Sequence, residues 1–228
     1  MRKLVVNEFI SLDGVAQAPG LADEDTSGGF AHGGWHMPYM EDELAMQWVL
    51  GSIVEAGGFL LGRRTYEIFA AYWPNASEEE QVIAEPLNTK PKYVVSRTRP
   101  ELDWQNSSLV EGDVVQAVAE LKREDGGDLH TIGSTELVST LLKHDLVDEF
   151  RLMIDPLVLG GGKRIFRDDG LRRPLRLLDS QVASTGAILA TYAPADGCPA
   201  PRADEFSPLG SSTRQTWFPW PSTERTKR

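Results

Sequence analysis

Gly58-Phe59-Leu60-Leu61-Gly62-Arg63-Arg64-Thr65-Tyr66-Glu67 is the stretch that decides the fold. An apolar run breaks at a glycine and passes at once into cationic and hydroxyl residues. Two other stretches repeat the design: Tyr93-Val94-Val95-Ser96-Arg97-Thr98 and Leu129-His130-Thr131-Ile132-Gly133-Ser134-Thr135. Open α/β sheets bind ligands in the crevice outside the carboxyl ends of their strands. Three such strand ends in one chain point to a site for an anionic dinucleotide, and so to an enzyme.

The chain has 228 residues, enough for one large domain or two small ones with a real core. Its 41% apolar and 25% charged content is ordinary for a soluble globular protein. The formal net charge is -11. A surface that acidic repels nucleic acid, so no nucleic-acid partner is expected. A phosphate ligand then needs a local exception to the general field, and Arg63, Arg64 and Arg97 supply it. Cys198 is the single cysteine, which excludes an intrachain disulfide and a cysteine-based metal cluster and suits a reducing cytoplasm. Met1-Arg2-Lys3 is basic, but Asn7 and Glu8 interrupt the apolar run behind it, so it reads as a first strand and not a signal peptide. No stretch is long and apolar enough to span a membrane.

Outward from the opening stretch, strand and helix patterns alternate. Leu4 to Ile10 is a strand, followed by Ser11-Leu12-Asp13-Gly14-Val15 and a long Gly-rich loop from Ala18 to Gly34. Long loops are usually functional or disordered. Glu41-Asp42-Glu43 marks a helix start, since carboxylates favour the positive end of the dipole; that helix runs to about Glu55. Phe59 to Leu61 is a strand, and Arg64 to Tyr72 a short helix stopped by Trp73-Pro74. Ser77 with Glu80 has capping-box spacing and opens a helix through Ala84. Lys92 to Ser96 is a strand. Asp113 with Gln116 caps a further helix that ends at Gly126-Gly127. Leu129 to Ile132 is a buried strand, and Thr135 to His144 a helix. The pattern then changes. Val147 to Leu159 is strand-like with Pro156 marking a bulge or edge. Leu175 to Ala183 and Ala187 to Tyr192 form a hairpin around Ser184-Thr185-Gly186. The expected fold class is α/β: a mostly parallel central sheet with an antiparallel C-terminal edge and helices on both faces. Residues 1–193 form that domain. Residues 194–228 are a Pro/Ser/Thr-rich tail without apolar period, expected to be poorly ordered. Trp217, Phe218 and Trp220 are its unusual members.

Each motif has a functional and a plain structural reading. In Gly62-Arg63-Arg64-Thr65 the glycine admits a phosphate to the backbone, the helix start offers free N–H groups, and arginine adds a fork of donors. The plain reading is a solvated surface turn. Ser96-Arg97 is either an anion clamp for a monoester phosphate or a polar strand end. Gly133-Ser134-Thr135 is either a pyrophosphate seat or a helix cap. Glu136 must point away for the first of these to hold. Asp13, past the first strand, is a site candidate or an Asp-Gly turn. His32 and His36 lie four apart on a loop without a third ligand, so no metal site is assigned. There is no G-x-G-x-x-G, and Gly160-Gly161-Gly162-Lys163 lacks the rest of a P-loop. No Ser or Cys nucleophile stands beside a His, so hydrolase chemistry has no support.

Taken in order, these segments resemble the dihydrofolate reductase fold, and more closely the reductase domain at the C-terminus of bacterial riboflavin-biosynthesis proteins, the RibD C-terminal family. The resemblance covers about Lys3 to Ala193. It rests on Ser11 to Val15, Gly62 to Glu67, Val94 to Thr98, Ile132 to Val138, Val147 to Phe150 and Pro156 to Phe166. It implies NADPH as hydride donor. Gly62, Arg63 and Thr65 would hold the adenosine phosphates, Ser96 and Arg97 the 2′-phosphate, and Gly133, Ser134 and Thr135 the pyrophosphate. Gly160 to Gly162 would lie near a mobile lid, and Asp13 where substrate meets nicotinamide. It also implies a small-molecule substrate, 5-amino-6-(5-phosphoribosylamino)uracil first and a pterin second, and a homodimer. Two departures stand out. None of Glu41, Asp42 and Glu43 is assignable as the pterin-protonating carboxylate, and the H-x-E and P-C-x-x-C signature of the usual deaminase partner is absent. A binding protein without turnover is the alternative on the same fold.

Overall fold

The structure is a computed structural model and describes residues 1–195. Its frame is an eight-stranded sheet in the order β4-β3-β2-β5-β1-β6-β8-β7. The strands are β1 (Leu4–Ser11), β2 (Gly58–Gly62), β3 (Lys92–Val95), β4 (Ser107–Leu109), β5 (Leu129–Ile132), β6 (Glu149–Asp155), β7 (Leu175–Val182) and β8 (Ile188–Pro194). All pairings from β4 to β6 are parallel, while β8 pairs antiparallel with both β6 and β7. The expected α/β sheet with an antiparallel C-terminal edge is thus the observed one. Parallel neighbours need crossovers, and the helices supply them: α1 (Glu43–Glu55), α2 (Arg63–Tyr72), α3 (Gln81–Thr89), α4 (Val114–Arg123) and α5 (Thr135–Lys143).

Alternation along β1 sorts the two faces. Leu4, Val6 and Ile10 share a buried cluster with Val118 of α4 and Leu137, Val138 and Leu141 of α5. Phe9 lies on the other face, beside Met153, Ala45 and the flank of Trp48 from α1. Phe59 and Leu61 of β2 join Ile53, Tyr66 and Leu87 on that same side.

The sequence expectations differ from the structure at three elements. The helix after Ser77 does not stop at Ala84. The capping box is present and opens a 3-10 turn, and α3 then continues through Pro86 to Thr89. Leu87 is buried, and the last carbonyls are taken by a buried lysine. Lys92 Nζ donates to Leu87, Asn88 and Lys90 while lying 4.3 Å from the Trp104 ring centroid. Tertiary capping here outweighs a proline. The short edge strand β4 was not expected, because three residues with two serines carry no readable period. The strand-like run from Val147 to Leu159 yields a strand only over Glu149–Asp155, since Pro156 has no N–H to continue the ladder. The hairpin at Ser184 to Gly186 stands as expected, and β8 runs on through Pro194. Trp217, Phe218, Trp220 and the rest of the tail beyond residue 195 lie outside the described residues.

Candidate active site

The four central parallel strands deliver the sequence-selected residues to one edge in sheet order. Ser96 and Arg97 follow β3, Gly62 to Thr65 end β2 and start α2, Gly133 to Thr135 link β5 to α5, and Asp13 follows β1. Three inter-strand steps of about 4.8 Å separate β3 from β1 across the sheet, roughly 14 Å, and β1 runs on to Ser11, past its last pair with β5 at Asn7 and Ile132. The register pairs Gly62 with Val95, so Arg63 and Ser96 leave their strands at the same level.

Ser134 ties the corner together. Its Oγ accepts from the Gly62 N–H at 3.0 Å and sits 2.6 Å from Thr65 Oγ1. To do so it takes a left-handed backbone, φ 66° and ψ 68°, which costs a non-glycine residue strain. The approach leaves no room for a side chain at position 62. A Cβ there would lie 2.5 Å from Ser134 Oγ and 2.8 Å from its Cβ. Gly133 also needs its glycine, at φ 70° against the Thr65 side chain. Helix capping by Ser134 is not what the side chain does. Neither α2 nor α5 has a side-chain N-cap, so their first-turn N–H groups remain open to an anion.

The cations divide into spent and unspent. Arg97 is exposed and has no hydrogen bond or ion pair among the described residues. Arg63 is half exposed and lies 3.8 Å from Glu67, a weak surface pair. Glu136 points away as required and pairs with Arg167. Ser96 Oγ accepts from the Thr98 N–H at 3.1 Å. Free arginine, open helix starts and a glycine that admits the backbone form a donor set that fits a dinucleotide carrying a further phosphate.

Arg64 is different, because the Gly-rich loop has claimed it. Asp25 receives Arg64 at 3.2 Å and Lys163 at 2.5 Å. Burial pushes the Asp25 carboxyl up, but hydrogen bonds from Lys163 and Ser27 win and hold it down at about 2. Gln17 is buried and stitches the same loop. Its Nε2 donates to Asp25 O and Ser27 O, and its Oε1 accepts from the Lys163 N–H. Between this loop and the Gly160 turn lies an open cavity of about 420 Å³, lined by Gln17, Ser27, Phe30, His32 and Lys163.

Asp13 anchors the far side of that cavity. Its carboxylate accepts from Ser11 Oγ at 2.6 Å and from the N–H groups of Leu159 and Gly160 at 3.1 and 3.0 Å. Arg164 reaches it at 3.3 Å. The Ser11 hydroxyl, helped by the two N–H groups, holds Asp13 at about 2. Such a carboxylate orients loops and carries no proton to give at neutral pH.

Sequence reasoning missed the part played by three buried polar residues near this edge. His36 Nδ1 lies 2.7 Å from Asp155 Oδ2, its ring stacked 3.8 Å from that of Phe9, so it clamps the loop to the sheet. Gln17 is the second. Glu8 is the third: 5% exposed, with burial and then the nearby Glu24 raising its carboxyl to about 8. The signal was there, since Leu4, Val6 and Ile10 are apolar and Glu8 alone breaks their row. Asp42 takes the structural role expected for its triplet, capping α1 through the Ala45 N–H.

Comparison with known proteins agrees with this architecture. The structure superposes on a Shewanella sp. PV-4 protein whose name assigns it, provisionally, to riboflavin biosynthesis, with a TM-score of 0.58 and 19% identity over 85% of this chain and 99% of that one. A pyrimidine reductase-like protein of Corynebacterium diphtheriae matches with a TM-score of 0.56 and 12% identity, over 86% and 93%. At the level of sequence, the uncharacterized protein YyaP of Bacillus subtilis (strain 168) is 33% identical over 135 residues, 58% of this chain and 71% of that protein. The RibD C-terminal domain matches residues 2–189. That match spans nearly all of residues 1–195, on a mostly parallel sheet with an antiparallel C-terminal edge, and this chain belongs to the RibD C-terminal domain family.

Proposed function

We propose that the protein is an NADPH-dependent reductase acting on a small heterocyclic or ribosylamino compound, 5-amino-6-(5-phosphoribosylamino)uracil first and a pterin second. The observation that carries the reading is the phosphate corner. Two helix starts without side-chain caps are riveted through Ser134 and Thr65, and the unpaired Arg97 stands on the neighbouring strand end. Arg63 and the first turn of α2 would hold the adenosine phosphates. Ser96 and Arg97 would meet the 2′-phosphate, and the Gly133 to Thr135 turn the pyrophosphate. Bound there, the cofactor supplies a hydride. The chain's own residues orient it against the cavity under the Gly-rich loop, and Gln17, Asp13 and Asp25 keep that cavity's walls in place.

The test is a fluorescence titration of NADPH and NADH on wild type and Arg97→Ala. Charge-assisted hydrogen bonds of this kind contribute about 1.5–3 kcal/mol. Arg97→Ala should therefore weaken NADPH by about 10- to 100-fold and leave NADH nearly unchanged. Equal losses would remove the 2′-phosphate role, and no binding of either nucleotide at high micromolar concentration would remove the cofactor reading.

A binding protein without turnover is the second reading. What favours it is Asp13, which at about 2 is no proton source. We also propose a homodimer in a reducing cytoplasm. All eight residues of β7 are exposed, among them Leu175, Leu177, Leu178 and Val182, on an edge strand that natural sheets seldom leave bare. Light scattering at micromolar concentration checks it, and a monomer mass would count against it.

A further inference from the structure

We propose that Glu8 is the proton donor of this site: it stands where β5 has stopped and β1 continues, and among the described residues nothing hydrogen-bonds its carboxyl. The proposal rests on the reductase reading above.

The placement follows from register. β1 and β5 pair for the last time at Asn7 and Ile132, so Glu8 stands at the level of Gly133, where β5 turns away into α5. On the other side β1 goes on pairing with β6, Glu8 opposite Leu152. A residue beyond the end of one neighbour and inside the ladder of the other faces the crevice where this sheet class takes its ligands. The alternation of Leu4, Val6, Glu8 and Ile10 directs it to the α5 side, the side of the Gly133 to Thr135 turn.

The chemistry follows from what surrounds it. Glu8 makes no hydrogen bond among the described residues, and its Oε1 is fully buried without a partner. A buried carboxyl with no partner is costly, and native structures rarely keep one without a use. No cation compensates it. Glu24 of the Gly-rich loop, itself bonded to the Gly20 and Leu21 N–H groups, is the one charge acting on it. Its neighbours on the same face of β1, Val6 and Ile10, belong to the apolar cluster that Leu137, Leu141, Leu152 and Ile165 complete. Desolvation beside a second carboxyl keeps Glu8 protonated at neutral pH. A group in that state donates, which is what a C=N or C=O acceptor needs as hydride reaches its carbon. The Glu8 O–H bond breaks, an N–H or O–H bond forms on the substrate heteroatom, and the electron pair arrives with the hydride of the reduced nicotinamide. Water then returns a proton to the carboxylate.

Two measurements test it, using NADP⁺ and 5-amino-6-(5-phosphoribosylamino)uracil as probes. The first is carboxyl ¹³C NMR of the wild-type protein, with the Glu8 signal assigned by its loss in Glu8→Gln. Glu8 should be protonated at pH 7, titrate near 8, and shift when both probes are added. Titration in the ordinary carboxylate range, or a signal unmoved by the probes, overturns the proposal. The second compares Glu8→Gln with wild type. NADPH should bind within a few-fold of wild type, and single-turnover NADPH oxidation should slow by about 100-fold or more. Unchanged turnover in Glu8→Gln removes Glu8 as donor and leaves the reductase reading standing. Failure of wild type to bind NADPH removes that reading first, and Glu8 with it.

Discussion

The phosphate corner and the loop corner of the same sheet edge treat charge in opposite ways. At the ends of β3, β2 and β5 the donors are held in reserve: among the described residues Arg97 is unpaired, and α2 and α5 begin without side-chain caps. Under the Gly-rich loop almost every charge is already matched within the chain. Asp25 takes Arg64 and Lys163, Asp13 takes Arg164 and two backbone N–H groups, and Glu24 takes two more. The open donors are what the proposed nucleotide would use, whereas the closed circuits of the loop corner hold its shape. Glu8 lies between them and belongs to neither pattern, since it is charged by type and partnered by nothing.

That contrast can be broken at several points. The largest effect belongs to Glu8 and pH. Its folded-state value near 8 lies above the ordinary 4.5, so the folded chain holds a proton that the unfolded chain releases. The stability this contributes is complete below pH 4.5 and is lost as pH rises through 8, at about 1.4 kcal/mol per pH unit. Glu8→Gln removes that slope. Denaturant curves at pH 5 to 9 should show the variant gaining on wild type up to a plateau near pH 8, with a total of a few kcal/mol. Parallel curves would show that Glu8 ionises normally.

Next is Gly62→Ala. The new methyl meets Ser134 Oγ, so either the rivet opens or the strand end shifts. A loss of about 1–3 kcal/mol is expected, together with NADPH affinity. Unimpaired NADPH binding would show that the rivet is dispensable. The smallest effect is Asp25→Ala, which frees two cations at the surface of the loop corner. Stability should fall by about 1 kcal/mol, and hydrogen exchange across residues 18–34 should quicken while that of β2 and β5 stays slow. Equal acceleration everywhere would mean the two corners are not separate units.

The same division explains what could be read from the chain. The meeting of the β3, β2 and β5 ends was legible because each part is local: a strand, a glycine, a hydroxyl and a helix start within ten residues. The cap at Asp113, the box at Ser77 and the hairpin at Ser184 to Gly186 were legible for the same reason. The loop corner was not, since its bonds join residues far apart in sequence. Asp25 meets Lys163, Asp13 meets Gly160, and His36 meets Asp155, and no period or short motif records such pairs. Asp13 was marked as a site residue by its place past the first strand and by the resemblance, and neither recorded its bonds to Leu159 and Gly160. The continuation of α3 past Pro86 was hidden likewise, because the lysine that secures it lies beyond the helix.

The Ser134 rivet has a kinetic consequence. With the first turns of α2 and α5 fixed to each other, the proposed nucleotide would find its seat assembled and its capture would need no slow rearrangement of the protein. Any slow step would then fall to the loop, whose shape the ion pairs of Asp25 hold. The rigid half of the edge would then govern how tightly the cofactor is held, and the self-paired half how often the site turns over.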